Sequence, residues 1–398
     1  PPYIDDDLVK EVTDSLNSGW ITTGPKVKQL EEEVGRLCGM KHVVAVNSAT
    51  SGLMVALKWF GVGPGDEVIV PAYTYSATAL AVYHLGARPV IVDVKDDFTI
   101  DPEKIFEAIT GRTKAIIPVD VAGWPADYDA VYNVVRDKNI VSKFLPDTLE
   151  QKKLGRILVL SDAAHSIGAT YKGKPTGQLA DITVFSFHAV KDVTTAKGGA
   201  LVLNLPEVFN ENDEHRKFRL MILNGQTKDA YTKSKAGGWK YDIVLPGFKM
   251  NMPDVLAAIG LSQIKKYRGS LLPERKRVAF QYEKEFSKYL WAILPPLCNG
   301  DSETSYHIYP LRINGINEEQ RDKIIDLITA KKVSVNVHFI PLPMLSFFKS
   351  LGYDIINYPV AYKNYACEIS LPIYPQLSSK QVSLVIDAVV NSYNSVVK

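Results

Sequence analysis

The chain has 398 residues, 46% of them hydrophobic, and a formal net charge of +2; that length allows about two to three domains with sizeable cores. So small a net charge excludes a strong field of the kind that draws nucleic acid or an anionic membrane, and no run reaches the roughly 18 apolar residues that span a bilayer. The three cysteines, Cys38, Cys298 and Cys367, are widely spaced and form no CxxC pair, which argues against a disulfide framework and leads us to expect a reduced, cytoplasmic enzyme.

The opening "PPYIDDDLVK" lacks the basic and apolar regions of a secretory signal. Strand and helix patterns then alternate. "HVVAVNS" (42–48), "DEVIVPA" (66–72), "RPVIVDV" (88–94), "KAIIPVDV" (114–121) and "RILVLSDA" (156–163) read as strands. "SATSGLMVALKWFG" (48–61), "SATALAVYHLG" (76–86) and "DPEKIFEAIT" (101–110) read as helices between them. Near-continuous apolar strands separated by helices predict an α/β fold with a mostly parallel sheet covered on both faces. The polar stretch 139–155 is expected as a surface insertion, and "GVGPGD" (61–66) precedes a strand, so it is a turn and not a dinucleotide loop.

After about residue 255 helices dominate, at 253–267, 275–290, 317–331 and from about 379, with "HIYPLRI" and "VSVNVHFI" among them. The expected division is a large α/β domain with an N-terminal arm over 1–255 and a smaller α+β domain over 256–398.

Four sites fall at predicted strand ends, where open α/β sheets bind ligands. "NSATSG" (47–52) opens a helix with small residues, which suits an anion at the helix N-terminus or a simple cap by Ser48. In "PAYTYSAT" (71–78), Tyr73 and Tyr75 are two apart and expected on one face, where an aromatic stacks on a flat ligand or packs under the next helix. Asp162 in "LSDAAHS" ends an apolar run, and a buried carboxylate needs a cation, such as a pyridinium nitrogen, unless it caps a helix. No further metal-type ligand lies at suitable spacing from Asp162 and His165. Finally, "ITVFSFHAVKDVTTAKGGALVLN" (182–204) places Lys191 and Lys197 in a loop between two apolar runs, where a desolvated amine can act as a nucleophile. Together these make the set that pyridoxal 5′-phosphate needs: an anion site, a stacking face, an acid for the ring nitrogen and a lysine.

The series "GDEVIVPAYTYSAT", "RTKAIIPVDVAGWPAD", "SDAAHSIGATYKGKPTG", "FSFHAVKDVTTAKGG" and "PGFKMNMPDVLAAIG" resembles, nearly end to end, the DegT/DnrJ/EryC1/StrS sugar aminotransferases. Those are pyridoxal-phosphate enzymes of fold type I, the aspartate-aminotransferase fold. The wording is most similar to enzymes that aminate C4 of a UDP-linked 4-keto sugar. The resemblance implies Lys191 as the Schiff-base lysine, five residues after Ser186, and Asp162 as the acid at the pyridine nitrogen. It implies Ser186, Ala49 and Thr50 at the phosphate, Tyr75 on the cofactor ring and His165 near the cofactor hydroxyl. Lys249 or Asn251 would complete the phosphate site of a second subunit, and Thr22, Thr23, His307 and His338 would lie near the sugar nucleotide. It further implies a homodimer, glutamate as amino donor and a role in surface polysaccharide synthesis. Most relatives have an acid where this chain has Lys197, and a dehydratase branch has histidine where it has Lys191. Amination at C3, dehydration, and a non-catalytic sensor of cofactor or sugar nucleotide stay open as alternatives at this stage.

Overall fold

In the computed structural model, which describes residues 2–229, 233 and 239–397, the apolar runs of the first half become one sheet. Its strands are β1 (Val43–Val46), β2 (Glu67–Pro71), β3 (Arg88–Val92), β4 (Thr113–Ile116) and β5 (Leu158–Asp162). A short hairpin, β6 (Thr170–Tyr171) and β7 (Lys174–Pro175), precedes β8 (Ile182–Ser186) and β9 (Gly199–Leu203). The seven-stranded sheet has the order β1-β9-β8-β5-β4-β2-β3. Pairs among β3, β2, β4, β5 and β8 are parallel, and β9 runs antiparallel to both its neighbours. Every residue of β1, β2, β4, β5, β8 and β9 is buried, which is why these segments lack the apolar–polar alternation of a one-sided sheet.

Helices α1 (Asp6–Asn17) and α2 (Pro25–Cys38) precede β1, and α3 (Ala49–Trp59) follows it. The Asp254 carboxylate accepts the backbone N–H groups of Gly24, Lys26 and Val27 at 2.8–3.0 Å, so the start of a later helix, Asp254–Lys266, caps α2. That helix shares a core with α2: Ala257, Leu261 and Ile264 cluster with Val27, Leu30 and Val34. The division proposed between residues 255 and 256 therefore falls at its N-terminal end. A separate core builds from Val278 onward, through Tyr282, Leu311, Ile324, Ile369 and Val389.

The remaining strands are short: β10 (Ala292–Ile293), β11 (Cys298–Asn299), β12 (Ser302–Glu303), β13 (Tyr309–Ile313) and β14 (Glu368–Leu371). The last part of the chain also returns to the large core, into which Leu342, Phe348 and Ala361 pack.

One sequence expectation is refined and another is corrected. Residues 139–155 lie largely at the surface, but they are ordered as helices Lys138–Lys143 and Leu149–Leu154, and Ile140 and Gln151 are fully buried. Gln151 donates to the Phe60 carbonyl at 2.9 Å, so a polar side chain is buried because it satisfies the C-terminal end of α3. Tyr73 and Tyr75 do not share a face: Tyr73 is buried with its ring 4.9 Å from that of Phe98, whereas Tyr75 is 63% exposed. The strand ends at Pro71, and period-two alternation holds only within a strand.

Candidate active site

The carboxyl ends of the strands converge on a cavity of about 480 Å³. Asp162 is the last residue of β5 and Ser186 the last of β8, Ala49 and Thr50 open α3, and Tyr75 follows β2. All line the cavity with His165, Lys191, His307 and His338. This is the position at which an open α/β sheet binds its ligand.

Backbone geometry builds one wall. Ser48 caps α3, its hydroxyl accepting the Ser51 N–H at 3.1 Å, which leaves the N–H groups of Ala49 and Thr50 at the positive end of the helix. Gly199 lets β9 pass close beneath: a Cβ there would lie 2.8 Å from the Ala49 nitrogen and 2.7 Å from the Phe185 carbonyl oxygen. The Ser48 cap uses the Ser51 N–H, and Ala49 and Thr50 line the cavity, so the cap and an anion site are compatible.

The loop between β8 and β9 carries the lysines. Thr194 anchors it, donating its N–H to Gln263 at 2.8 Å and its hydroxyl to the Phe187 carbonyl at 3.2 Å. Lys191 is half-buried in the cavity wall and Lys197 is exposed at its lip. Burial brings the Lys191 amine down to about 8, against opposing pulls from Asp162 and Asp192. Burial pushes Asp162 above the usual carboxylate range; hydrogen bonds from the Thr78 hydroxyl (2.8 Å) and the Ala164 N–H (3.2 Å) oppose it, as does the charge of Lys191. Asp162 forms no ion pair within 4 Å among the described residues, so its two oxygens suit a ligand that brings a cation.

Three histidines face Lys191, and burial, then the lysine charge, keeps each neutral. The Nδ1 of His165 accepts the Ala122 N–H at 3.2 Å, which leaves the proton on Nε2 as a donor. Ala122 sits at φ 59° before Gly123 at φ 93°, and a Cβ on Gly123 would meet the Ser305 hydroxyl at 2.1 Å. That turn aims the N–H. The His165 ring lies 4.3 Å from that of His307 and stacks with Phe339 at 5.6 Å, and Phe339 in turn lies 6.0 Å from Tyr75.

Beneath Lys191 lies a buried ionic group that the sequence reading missed. Asp192 accepts from Arg275 at 2.9 Å and pairs with His307 Nδ1 at 2.8 Å; burial raises its pKa to about 6, against the lowering pull of Arg275. Arg275 also donates to the Tyr306, His307 and Ile373 carbonyls. Removing one partner strands a buried charge, so Asp192→Ala is expected to cost about 3 to 5 kcal/mol in chemical denaturation. A loss below about 1 kcal/mol would show that the charge is not held in isolation there.

Thr22, Thr23, Lys249 and Asn251 do not line this cavity. Asn251 bridges to Val46 and donates to the Thr23 hydroxyl at 2.6 Å, and Thr23 donates in turn to the Met252 carbonyl. Thr22 gives its carbonyl to the Asp254 N–H at 3.1 Å, and Lys249 is exposed. Sequence reasoning missed Thr74 and Thr78, whose hydroxyls lie 2.9 Å apart, with Thr78 donating to Asp162 at 2.8 Å. Their i, i+4 spacing beside a strand end was the available signal.

These side chains fit pyridoxal 5′-phosphate, with a helix N-terminus for the phosphate, an unpaired buried acid for the ring nitrogen and a desolvated lysine. With the sheet topology they make the protein a pyridoxal-phosphate-dependent transferase of the aspartate-aminotransferase fold type. Within that class the chain belongs to the DegT/DnrJ/EryC1/StrS aminotransferase family, whose sequence model matches residues 2–390.

It is 36% identical over 397 residues to the spore coat polysaccharide biosynthesis protein SpsC of Bacillus subtilis (strain 168), covering 98% of this chain and 95% of the relative. Spr1654 from Streptococcus pneumoniae, described as a sugar aminotransferase, superposes in its PLP-form with a TM-score of 0.94 at 40% identity, over 100% of this chain and 98% of that one. Helicobacter pylori PseC, an aminotransferase involved in the biosynthesis of pseudoaminic acid, gives a TM-score of 0.85 at 28% identity, over 99% and 98%. Among the described residues no helix is long and apolar enough to cross a membrane.

Proposed function

We propose that the protein transfers an amino group from glutamate to C4 of a nucleotide-linked 4-keto sugar, for surface polysaccharide or glycan synthesis. The observation that carries the reading is Lys191 and Asp162 in one cavity with a helix N-terminus. The likeness to SpsC, Spr1654 and PseC supports the sugar as acceptor.

Pyridoxal phosphate, when bound, supplies an aldehyde that condenses with amines and a ring that takes up the electrons of a broken Cα–H bond. The chain supplies the rest. Lys191 would hold the cofactor and, when free, would move the proton that leaves the donor carbon, a task suited to an amine brought down to about 8. Asp162 would hold the cofactor's ring nitrogen and, once paired with that cation, would be ionised and keep its proton in place. His165, with its Nδ1 engaged by Ala122, would offer Nε2–H to the cofactor's hydroxyl. The lowered pKa of His307 and His338 leaves them neutral beside the substrate, with Lys197 as a cation at the lip.

The reading includes a homodimer in which Lys249 or Asn251, with Thr22 and Thr23 alongside, reaches a neighbour's site. Trp239, Tyr241, Ile243 and Val244 form an exposed, largely apolar strip close by in sequence, which favours association. Mixing Lys191→Ala subunits with Lys249→Ala/Asn251→Ala subunits tests this. One composite site per mixed dimer is then whole, so activity should return to at most about half of wild type per mixed dimer. If the double variant weakens cofactor binding and subunit exchange is verified, yet no activity returns, the shared site is wrong.

A further inference from the structure

His338 lines the cavity, and its surroundings on the far side are unusually specific. Strand β14 places Glu368 and Ser370 on one face, while Ile369 and Leu371 point into the C-terminal core. Segment 336–338 lies along that strand: the Asn336 N–H donates to the Ser370 carbonyl at 3.2 Å, and the Ser370 N–H to the Asn336 carbonyl at 2.7 Å. This register sets the His338 backbone N–H 3.2 Å from Glu368 Oε2 and its ring Nδ1 3.0 Å from Ser370 Oγ. Ser370 Oγ is in hydrogen-bond contact with Glu368 Oε1. Nδ1 is therefore engaged, and Nε2 is the ring nitrogen left for the cavity.

The direction of this chain depends on where its protons sit. If Glu368 were ionised, Ser370 would donate to it, His338 Nδ1–H would donate to Ser370, and Nε2 would be a bare acceptor. If Glu368 carries a proton, it donates to Ser370, Ser370 donates to Nδ1, and the imidazole proton is on Nε2. Glu368 is fully buried and pairs with no cation within 4 Å among the described residues. Arg312 turns to Asn364 and Asp96, and Arg321 to Asp322, Glu318 and the backbone carbonyls of Tyr365 and Glu368, so neither pairs with the Glu368 carboxyl. A carboxyl in that position takes a proton instead of bearing a charge, and burial indeed pushes Glu368 up to about 8. His338, held neutral by burial and by Lys191, has one ring proton to place.

We propose that Glu368, acting through Ser370, is a positioning residue that fixes His338 as the Nε2–H tautomer, so that the cavity presents an N–H donor to an acceptor oxygen of the substrate. The tautomer stands on the hydrogen-bond geometry together with the burial of Glu368 away from any paired cation among the described residues. Its use rests on the cavity being the sugar site. Neither Glu368 nor Ser370 lines the cavity, so both act only through His338.

Nitrogen-15 NMR of histidine-labelled, cofactor-loaded enzyme at pH 7 reads the tautomer directly, with the His338 signals identified by their loss in His338→Asn. The expected result is a pyrrole-type Nε2 and a pyridine-type Nδ1, unmoved in Glu368→Gln, whose amide can donate to Ser370 as the protonated acid does. Ser370→Ala should mix the two tautomers and raise KM for the keto sugar roughly 3- to 10-fold, with kcat changed by less than about 2-fold. A protonated Nδ1 in the wild type, or a tautomer indifferent to Ser370→Ala, overturns the relay. A shifted tautomer with unchanged KM overturns its role toward the substrate. Absence of any keto-sugar turnover by the wild type would instead count against the proposed function, and the spectra would still decide the tautomer.

Discussion

Lys191→Ala is expected to lower turnover by more than about 10⁴-fold, since the proposed function gives this one side chain both roles, cofactor anchor and proton carrier. Borohydride reduction of the loaded wild type should mark Lys191 in a peptide map. Lys197→Ala should leave that mark intact, because Lys197 is exposed at the lip. The fold should persist in Lys191→Ala, for the lysine is a cost to the folded state and not a support. Its amine is brought from 10.5 to about 8 by burial. Between those values the unfolded chain binds more protons than the folded one, so folded stability rises with pH across that window. Below about pH 8 the full cost is present. The cofactor-free wild type should therefore gain stability relative to the alanine variant as pH rises from 8 towards 10.5, which a series of melts at stepped pH would read. A mark on Lys197 would shift the catalytic register by six positions.

Asp162→Asn should keep the cofactor and lose on the order of 10²- to 10⁴-fold in turnover. The amide oxygen can still accept the Ala164 N–H, and its NH2 can donate to the Thr78 hydroxyl once that hydroxyl turns to Thr74, but the neutral amide cannot stabilise a proton on the ring nitrogen. Stability separates this from misfolding. The Asp162 pKa is raised by burial, so its charge destabilises the folded cofactor-free protein above that raised pKa, and the penalty disappears below the unfolded value near 3.8. The cofactor-free asparagine variant should melt at or above the wild-type temperature at pH 7. Near-normal turnover would remove Asp162 from the chemistry.

The parts of this protein legible in its sequence are those decided by local pattern. Strands β1, β2, β5 and β8 are apolar on both faces, and their loops carry the polar residues that line the cavity, so Asp162, Ser186 and Lys191 could be placed at strand ends from composition and order. Where two long-range partners decide the outcome, local pattern fails. Gln151 reads as solvated but is buried against Phe60, 91 positions away. Tyr73 and Tyr75 look equivalent until the strand stops at Pro71 and sends one inward. The Asp192–Arg275–His307 group and the Glu368–Ser370–His338 relay join segments far apart in sequence, and no single segment carries a sign of the others. Choosing between Lys191 and Lys197 was beyond the spacing alone. The resemblance to a family made that choice, and the structure adds that Lys191 is the amine whose pKa burial lowers.

The most direct test follows the amino nitrogen. Cofactor-loaded protein is incubated with nitrogen-15 glutamate and, in turn, UDP-, dTDP- and GDP-linked 4-keto sugars, and the products are examined by mass spectrometry and NMR. The account predicts that one of these sugars gains the labelled nitrogen at C4 while an equal amount of 2-oxoglutarate is released. Label at C3, loss of water without incorporation of nitrogen, or no consumption of glutamate with any sugar of the panel would contradict it.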